Sequence, residues 1–265
     1  MMRRIAIVGL IFVTAACAGP TKAVRVGPEV PEATKARVLS ALRERNGGLR
    51  SLKGLASVRY GAGIFGGRGE AAFVVEAPDR ARIDTLTDFG VAQSQLALNR
   101  GRLTVLWPAA SRYFAGEADA ETLGRYAGIG LSPETLIGIL LGKIPLGGKT
   151  GGDSPRVYES GPGAYVVKAD GLEAKVVDSA GALVPESYTA LSAEGRPVYR
   201  VAFDGYASEG GRPPFPARLA ARLWKEGESR TKAKIDLEYR DLEINPKVEN
   251  KTFELKIPDE AELAN

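Results

Sequence analysis

From residue 52 onward the chain alternates apolar and polar side chains with a period of two, cut at regular intervals by turn chemistry. In the stretch 55–60, Leu55, Ser57 and Arg59 fall on one side and Ala56, Val58 and Tyr60 on the other. The glycine-rich turn Gly61-Ala62-Gly63-Ile64-Phe65-Gly66-Gly67 leads into a second strand over 69–76, Pro78-Asp79 into a third over 80–87, and Asp88-Phe89-Gly90 into a fourth over 91–99. Asn99-Arg100-Gly101 then returns the chain as 102–107. The rhythm resumes over 157–160, 164–168, 172–178, 185–191, 197–205, 217–225 and 231–240. Short strands joined by tight turns describe antiparallel meanders and not βαβ units.

Two segments follow a helical period instead. Over 33–46, Val38, Leu39 and Leu42 gather on one face, Lys35, Arg37, Arg43 and Glu44 occupy the rest, and Asn46-Gly47-Gly48 ends the element, which predicts an amphipathic helix packed on a sheet. Between the two meanders, 120–127 is helix-forming, and Ser132-Pro133-Glu134 is a helix start with Ser as cap, Pro in the first turn and Glu at the positive dipole end. The helix that follows, Thr135-Leu136-Ile137-Gly138-Ile139-Leu140-Leu141-Gly142, is apolar nearly all round. Such a helix is buried on most of its surface or faces lipid. It is too short to span a bilayer, which takes about 20 apolar residues. It therefore reads as a helix inserted into the concave side of a curved sheet, where it also serves as a lid over an apolar cavity.

The N-terminus has a third pattern. Two arginines, Arg3 and Arg4, precede a short apolar run over 5–16, and Ala15-Ala16-Cys17 is followed by Ala18-Gly19-Pro20. This reads as a signal peptide removed on export. The small residues before the only cysteine resemble a bacterial lipobox, in which the cysteine is lipidated and becomes residue one of the mature protein; Thr14 stands where such motifs usually carry Leu. The alternative is an ordinary secretory signal cleaved at a neighbouring alanine. Lipidation at Cys17 would anchor the protein to a membrane without spanning it, because two or three acyl chains at about 0.8 kcal/mol per buried CH₂ hold permanently. Residues 17–32, with Pro20, Pro28 and Pro31 and no apolar periodicity, read as a tether, and 33–265 as a single domain with its helical lid around 117–145.

Composition narrows the chemistry. The leader carries two of the 36 basic residues, so the mature chain sets 34 against 32 acidic ones, a net charge of only +2. That balance argues against nucleic acid as a partner. The chain has no histidine, which excludes Ser-His-Asp and Cys-His catalysis and the usual zinc sites, and Cys17 has no partner thiol for a disulfide. A carboxylate hydrolase would need two close acids in a cleft, and the linear pattern of Asp and Glu suggests none. No enzyme activity and no cofactor are expected.

The order of these features resembles the LolA/LolB superfamily of bacterial lipoprotein chaperones and receptors, and the lipidated LolB-like outer-membrane lipoproteins most of all. The resemblance is carried by the strand, loop and returning strand Arg82-Ile83-Asp84-Thr85-Leu86-Thr87-Asp88-Phe89-Gly90-Val91-Ala92-Gln93-Ser94-Gln95-Leu96-Ala97-Leu98-Asn99. It is carried also by the run from Glu117 through Leu123, Leu131 and Leu136 to Leu140-Leu141-Gly142 and Pro145, and by Tyr239-Arg240-Asp241-Leu242-Glu243-Ile244-Asn245-Pro246 with Phe253-Glu254-Leu255 and Pro258. It implies a mainly β fold, an incomplete antiparallel barrel closed by helices around a hollow that takes acyl chains. It further implies an outer-membrane anchor with the domain facing the periplasm, acylated lipoproteins or lipids as cargo, the outer-membrane bilayer as acceptor and a soluble LolA-like carrier as donor. Ala18 after the cysteine, in place of Asp, agrees with outer-membrane sorting. The other reading is a structural or interaction lipoprotein of the same fold whose hollow is filled by its own lid.

By position in the family the apolar tip that hands cargo to the membrane maps onto Phe89, unless Phe89 folds back over the sheet edge. Ile64 and Phe65, between glycines in a hairpin turn, form a second candidate membrane-contact tip, with an inward tuck as the alternative. The expected acyl-chain cavity is covered by Leu136, Ile137, Leu140 and Leu141 and walled by Leu96, Leu98, Val105 and Phe203. Arg59 and Arg82 are either rim residues near lipid headgroups or part of the solvated face of the strands. For the anchor, Cys17→Ser should abolish palmitate incorporation and leave an uncleaved or soluble form; a wild-type chain that takes up no label and fractionates as a soluble protein would contradict lipidation.

Overall fold

The structure, a computed structural model, describes residues 26–62, 65–87, 89–146, 154–179, 181–207, 214–224 and 231–264. Cys17 and Ile64 lie outside the described residues, as do the leader and most of the tether. The described elements open with helix α1 (Glu32–Gly48) and six strands, β1 (Ser51–Ala62), β2 (Phe65–Glu76), β3 (Arg80–Leu86), β4 (Ala92–Asn99), β5 (Arg102–Trp107) and β6 (Arg112–Glu117). Helices α2 (Ala120–Tyr126) and α3 (Pro133–Leu140) follow. A second run of strands comprises β7 (Arg156–Gly161), β8 (Ala164–Ala169), β9 (Leu172–Ser179), β10 (Ala182–Leu191), β11 (Pro197–Ala207), β12 (Phe215–Trp224) and β13 (Thr231–Ile244), and the two-residue β14 (Glu262–Leu263) closes the chain.

All fourteen strands belong to one sheet, ordered β14-β6-β5-β4-β3-β2-β1-β13-β12-β11-β10-β9-β8-β7. Each run is an up-and-down meander, and the first strand of one joins the last strand of the other: β1 pairs antiparallel with β13, setting Ala56 opposite Tyr239 and Val58 opposite Leu237. The sheet curls but does not close, so it is the expected incomplete barrel with two free edges. Both edges are covered by chain ends. Residues 27–30, within the stretch read as tether, pair with β7 through Gly27 N–H to Glu159 O at 2.8 Å and Val30 N–H to Val157 O at 2.9 Å. At the other edge β14 pairs in parallel with β6. Covered edges leave fewer unpaired backbone groups to recruit other chains.

The helices form where the sequence places their caps. The Ser132 hydroxyl accepts from Thr135 N–H at 3.3 Å with Pro133 in the first turn of α3, and Asp119 accepts from Thr122 N–H at 2.7 Å at the start of α2. Helix α1 buries Val38, Leu39 and Leu42 against the strands of the second meander, as its amphipathic face requires. Alternation sorts the central strands cleanly. Ala56, Phe73, Leu219, Ala221 and Tyr239 point to the buried concave side. Arg59, Arg82, Arg218 and Glu238 lie on the outer one. After β13 the chain crosses the outer side of β3 and β4, where Phe253 is buried beneath Arg80, whose guanidinium stands 4.8 Å from the ring centre. Every residue of the main core cluster falls between Val38 and Tyr239, so a chain without residues 1–16 keeps that cluster whole.

Candidate binding cavity

The inward positions of β1, β2, β12 and β13 carry small residues where the flanking strands carry large ones. Ala56, Gly69, Ala71, Ala221 and Ala233 face the concave side near the middle of the sheet and cannot fill it. Across them lies α3. The result is a hollow of about 460 Å³ between lid and sheet, within the range of roughly 300–1,000 Å³ typical of small-molecule sites. Its walls are mostly apolar: Leu136, Ile139 and Leu140 from the lid, Phe73 and Ile83 from β2 and β3, and Leu219, Leu223, Ile235 and Leu237 from β12 and β13. Among the described residues no group of three metal-ligating side chains is found. Two smaller grooves of about 300 Å³ lie elsewhere, each lined in part by charged residues of the outer face such as Arg82, Asp84 and Glu243 or Arg218, Asp236 and Glu238.

The lid is tied down at its C-terminal end. The Tyr239 hydroxyl, buried beneath the helix, donates to Leu140 O at 3.0 Å, and burial pushes its pKa well above the ordinary tyrosine value, which keeps the proton on. Arg45, on the last turn of α1, donates from Nη1 to Gly142 O at 2.6 Å and from Nη2 to Pro214 O at 3.4 Å. Burial lowers the pKa of this guanidinium, and its Nε has no partner among the described residues. Asn46 completes the clamp, giving Nδ2–H to Ile144 O at 2.7 Å and accepting Ile144 N–H at 3.3 Å. Gly142 ends α3 with φ of +65°, a left-handed turn that a side chain would strain. Thus α1 holds the chain that leaves the lid, and β13 holds the lid itself.

The residues named from sequence divide by how the helices cover them. Leu136 and Leu140 line the hollow; Ile137 and Leu141, at 1% and 0% exposure, lie on another side of the helix and pack into the core. Leu96, Leu98, Val105 and Phe203 are buried on the concave side as alternation requires, and none of the four borders this hollow. The reason is local filling. The row Ile83, Leu96, Val105, Phe114 runs in register across β3 to β6. Only its first member reaches the hollow, because α2 covers its far end with Tyr126 stacked 3.8 Å from Phe114. Phe203 packs against Tyr188, with ring centres 6.1 Å apart. The wall residues that sequence reasoning missed, among them Phe73, Ala71 and Ala221, had a signal: small residues at inward positions of neighbouring strands.

Phe89 is 93% exposed, so it does not fold back on the sheet edge. It tips the β3–β4 loop, where Gly90 N–H donates to Thr87 O and Thr87 N–H to Val91 O, both at 2.9 Å, with Gly90 at φ of +76°. Val91 at 64% and Tyr60 at 52% add exposed apolar surface at the same end of the sheet, and Tyr60 lines the hollow there together with Leu86 and Gln93. The mouth of the cavity and the apolar loop are therefore neighbours. Phe65 opens β2 at this end; its partner in the proposed second tip, Ile64, lies outside the described residues.

The fold is that of the LolA superfamily. A LolA superfamily protein from Nitrosomonas europaea matches with a TM-score of 0.50 over 82% of this chain and 97% of its own, at 12% identity. A DUF1329 family protein from Desulfovibrio piger matches with 0.53 over 83% and 96%, at 13% identity. A domain from Vibrio parahaemolyticus, described in terms of outer membrane lipoprotein sorting, matches with 0.52 over 82% and 94%, at 11% identity. No protein-family model and no curated protein matches the sequence.

The contrast between the two sides of the lid is measurable. Ile137→Ala removes packed atoms and should cost about 2–5 kcal/mol in denaturant unfolding. Leu140→Ala only widens a space already present and should fall at or below the low end of that range. Equal or reversed costs would mean that the hollow is closed in solution.

Proposed function

We propose that the protein is a lipid-anchored envelope lipoprotein that takes acyl chains into the hollow under α3 and passes them to a bilayer through the Phe89 loop, with acylated lipoproteins as the leading cargo. The observation that carries the reading is a lidded apolar hollow opening beside an exposed apolar loop. Burying hydrocarbon there yields about 0.8 kcal/mol per CH₂ without any directional bond. A wall of leucine, isoleucine, valine and alanine therefore suffices for capture. The charged lining residues, Arg68, Glu70 and Lys234, belong to the strand ends at the mouth, which leaves the apolar wall to cargo that shares only its acyl chains.

Release needs a place for the chains to go. An exposed phenylalanine on a hydrogen-bonded loop can enter the interface and bring the mouth to the hydrocarbon, shortening the path on which chains would meet water. The likeness in fold to a domain described by lipoprotein sorting supports this reading, as does the match of the N-terminal residues to a lipobox. An outer-membrane location, a periplasmic orientation and a soluble donor carrier belong to the same proposal.

Capture and delivery can be separated with the mature chain carrying Cys17→Ala. Phe89→Glu sets a charge where the loop enters the membrane, against a cost of about 3 kcal/mol for a carboxylate deep in hydrocarbon. Binding of a fluorescent fatty acid should be unchanged, while transfer of an acylated cargo to liposomes should fall at least tenfold. Wild-type transfer in the variant would remove the loop from the mechanism, and absence of saturable fatty-acid binding in both proteins would favour a structural role for the fold.

A further inference from the structure

The outer face of the sheet carries a second feature at the mouth end. Arg68 of β2 stands directly opposite Arg59 of β1, and Arg222 of β12 stands directly opposite both Lys234 of β13 and Arg200 of β11. Over the five adjacent strands β2-β1-β13-β12-β11 these form a belt of two neighbouring rows, Arg68-Arg59 running on to Asp236 and Lys234-Arg222-Arg200 lying two residues nearer the rim, with the exposed Lys232 beside them. Strand parity turns all of them to the outer face, each alternating with an inward neighbour such as Val58, Gly69, Val201, Ala221 or Ala233, while Arg68 and Lys234 also border the mouth of the hollow. Like charges directly opposite across a ladder are destabilising. The belt holds one carboxylate, Asp236, which stands opposite Arg59 on β1 and is engaged by Arg222 at 2.7 Å, one acid against five bases. Of the acids in the next row, Glu70 is held by Arg240 at 3.1 Å and Asp204 by Arg218 at 2.5 Å, leaving Glu238. Arg59, Arg68, Arg200 and Lys234 make no ion pair among the described residues.

The belt sits level with the apolar loop. Glu70 pairs with Leu86, so Arg68, two residues nearer the strand end, is level with the turn that carries Phe89. The belt residues lie two or three positions from the ends of their strands, about 7–10 Å at about 3.3 Å per residue. That distance is within one Debye length at physiological salt, about 8 Å, once the long side chains reach toward the rim.

We propose that this belt docks the mouth on a bilayer surface of anionic phospholipid, orienting the molecule so that Phe89 and Val91 meet the interface. Charge complementarity argues for this occupant, because phosphate head groups supply the counter-charges that the sheet withholds from its opposed arginines. Continuity with the exposed apolar loop argues for a membrane rather than an acidic protein. The inference deepens the delivery reading yet stands apart from it, since docking is measured without cargo.

The test is co-sedimentation of the mature chain carrying Cys17→Ala with phosphatidylcholine vesicles, with and without phosphatidylglycerol. Binding should require phosphatidylglycerol and weaken as salt is raised. At about fivefold per basic residue near the surface, the triple variant Arg59→Gln, Arg68→Gln, Lys234→Gln should lose about a hundredfold in partitioning. Its unfolding midpoint should not drop, because opposed like charges have been relieved, and Lys53→Gln, at the far end of β1, should bind as wild type. Equal binding to both vesicle types, salt-independent binding of the wild type, or a triple variant that binds undiminished would show the belt to be an ordinary solvated face. Absence of fatty-acid binding by the chain carrying Cys17→Ala alone, with vesicle binding intact, would count against the cavity reading and leave the docking belt standing.

Discussion

An all-apolar helix cannot stand in water, and α3 has no second layer of helices to hide in. The sheet has to curl around it. Pairing β1 with β13 provides the means, because it fuses two meanders into one surface wide enough to wrap the lid, while its inward rows alternate apolar residues toward the helix. The curl leaves two edges, and the chain closes both with its own ends. Lid burial, sheet width and edge protection are thus parts of one solution to a single solvation problem.

The same wrapping would give a solid core if the inward residues were all large. On the flanks they are: Tyr188, Phe203 and Tyr199 meet on one side, Phe114 and Tyr126 on the other. At the centre, alanine and glycine replace them and leave space beneath a lid that is tied down at its C-terminal end and packed through Ile137 and Leu141. The Tyr239 hydroxyl and the Arg45 and Asn46 side chains fix the end of α3 and the chain beyond it. Backbone carbonyls left over at a helix C-terminus need donors, and these side chains supply them. A clamp at one end with apolar contact elsewhere suits a lid that yields to a ligand competing for the same surface.

Much of this was legible in the sequence. The meanders, the capped lid helix and the amphipathic α1 follow from periodicity and turn chemistry, and the order of elements carried the resemblance to the superfamily whose fold the chain has. β6 escaped because Pro108 and the left-handed Ser111 interrupt the pattern just before it, and β14 is two residues long with no pattern to read. Cavity residues were harder for a different reason. Alternation says which face of a strand a residue occupies but not whether a helix sits on it, so it puts Leu96, Leu98, Val105 and Phe203 on the concave face without telling which part of that face stays open. Only the cross-strand register, which brings Ala56, Ala71, Gly69 and Ala221 into neighbouring rows, locates the hollow. Phe89 was visible as an apolar residue beside a turn glycine, whereas the opposition of Arg59 to Arg68 depends on pairing that no linear reading fixes.

The central claim is that acyl chains enter the space under α3 and no other. A fatty acid carrying a nitroxide on its chain, added to isotopically labelled mature chain with Cys17→Ala, reports location directly through paramagnetic broadening. The account predicts strong broadening at Leu136, Leu140, Ile83 and Leu237, with Leu98 and Phe203 much less affected and Lys53 at the outer groove untouched. Broadening centred on the outer grooves, or none at saturating probe, would contradict it.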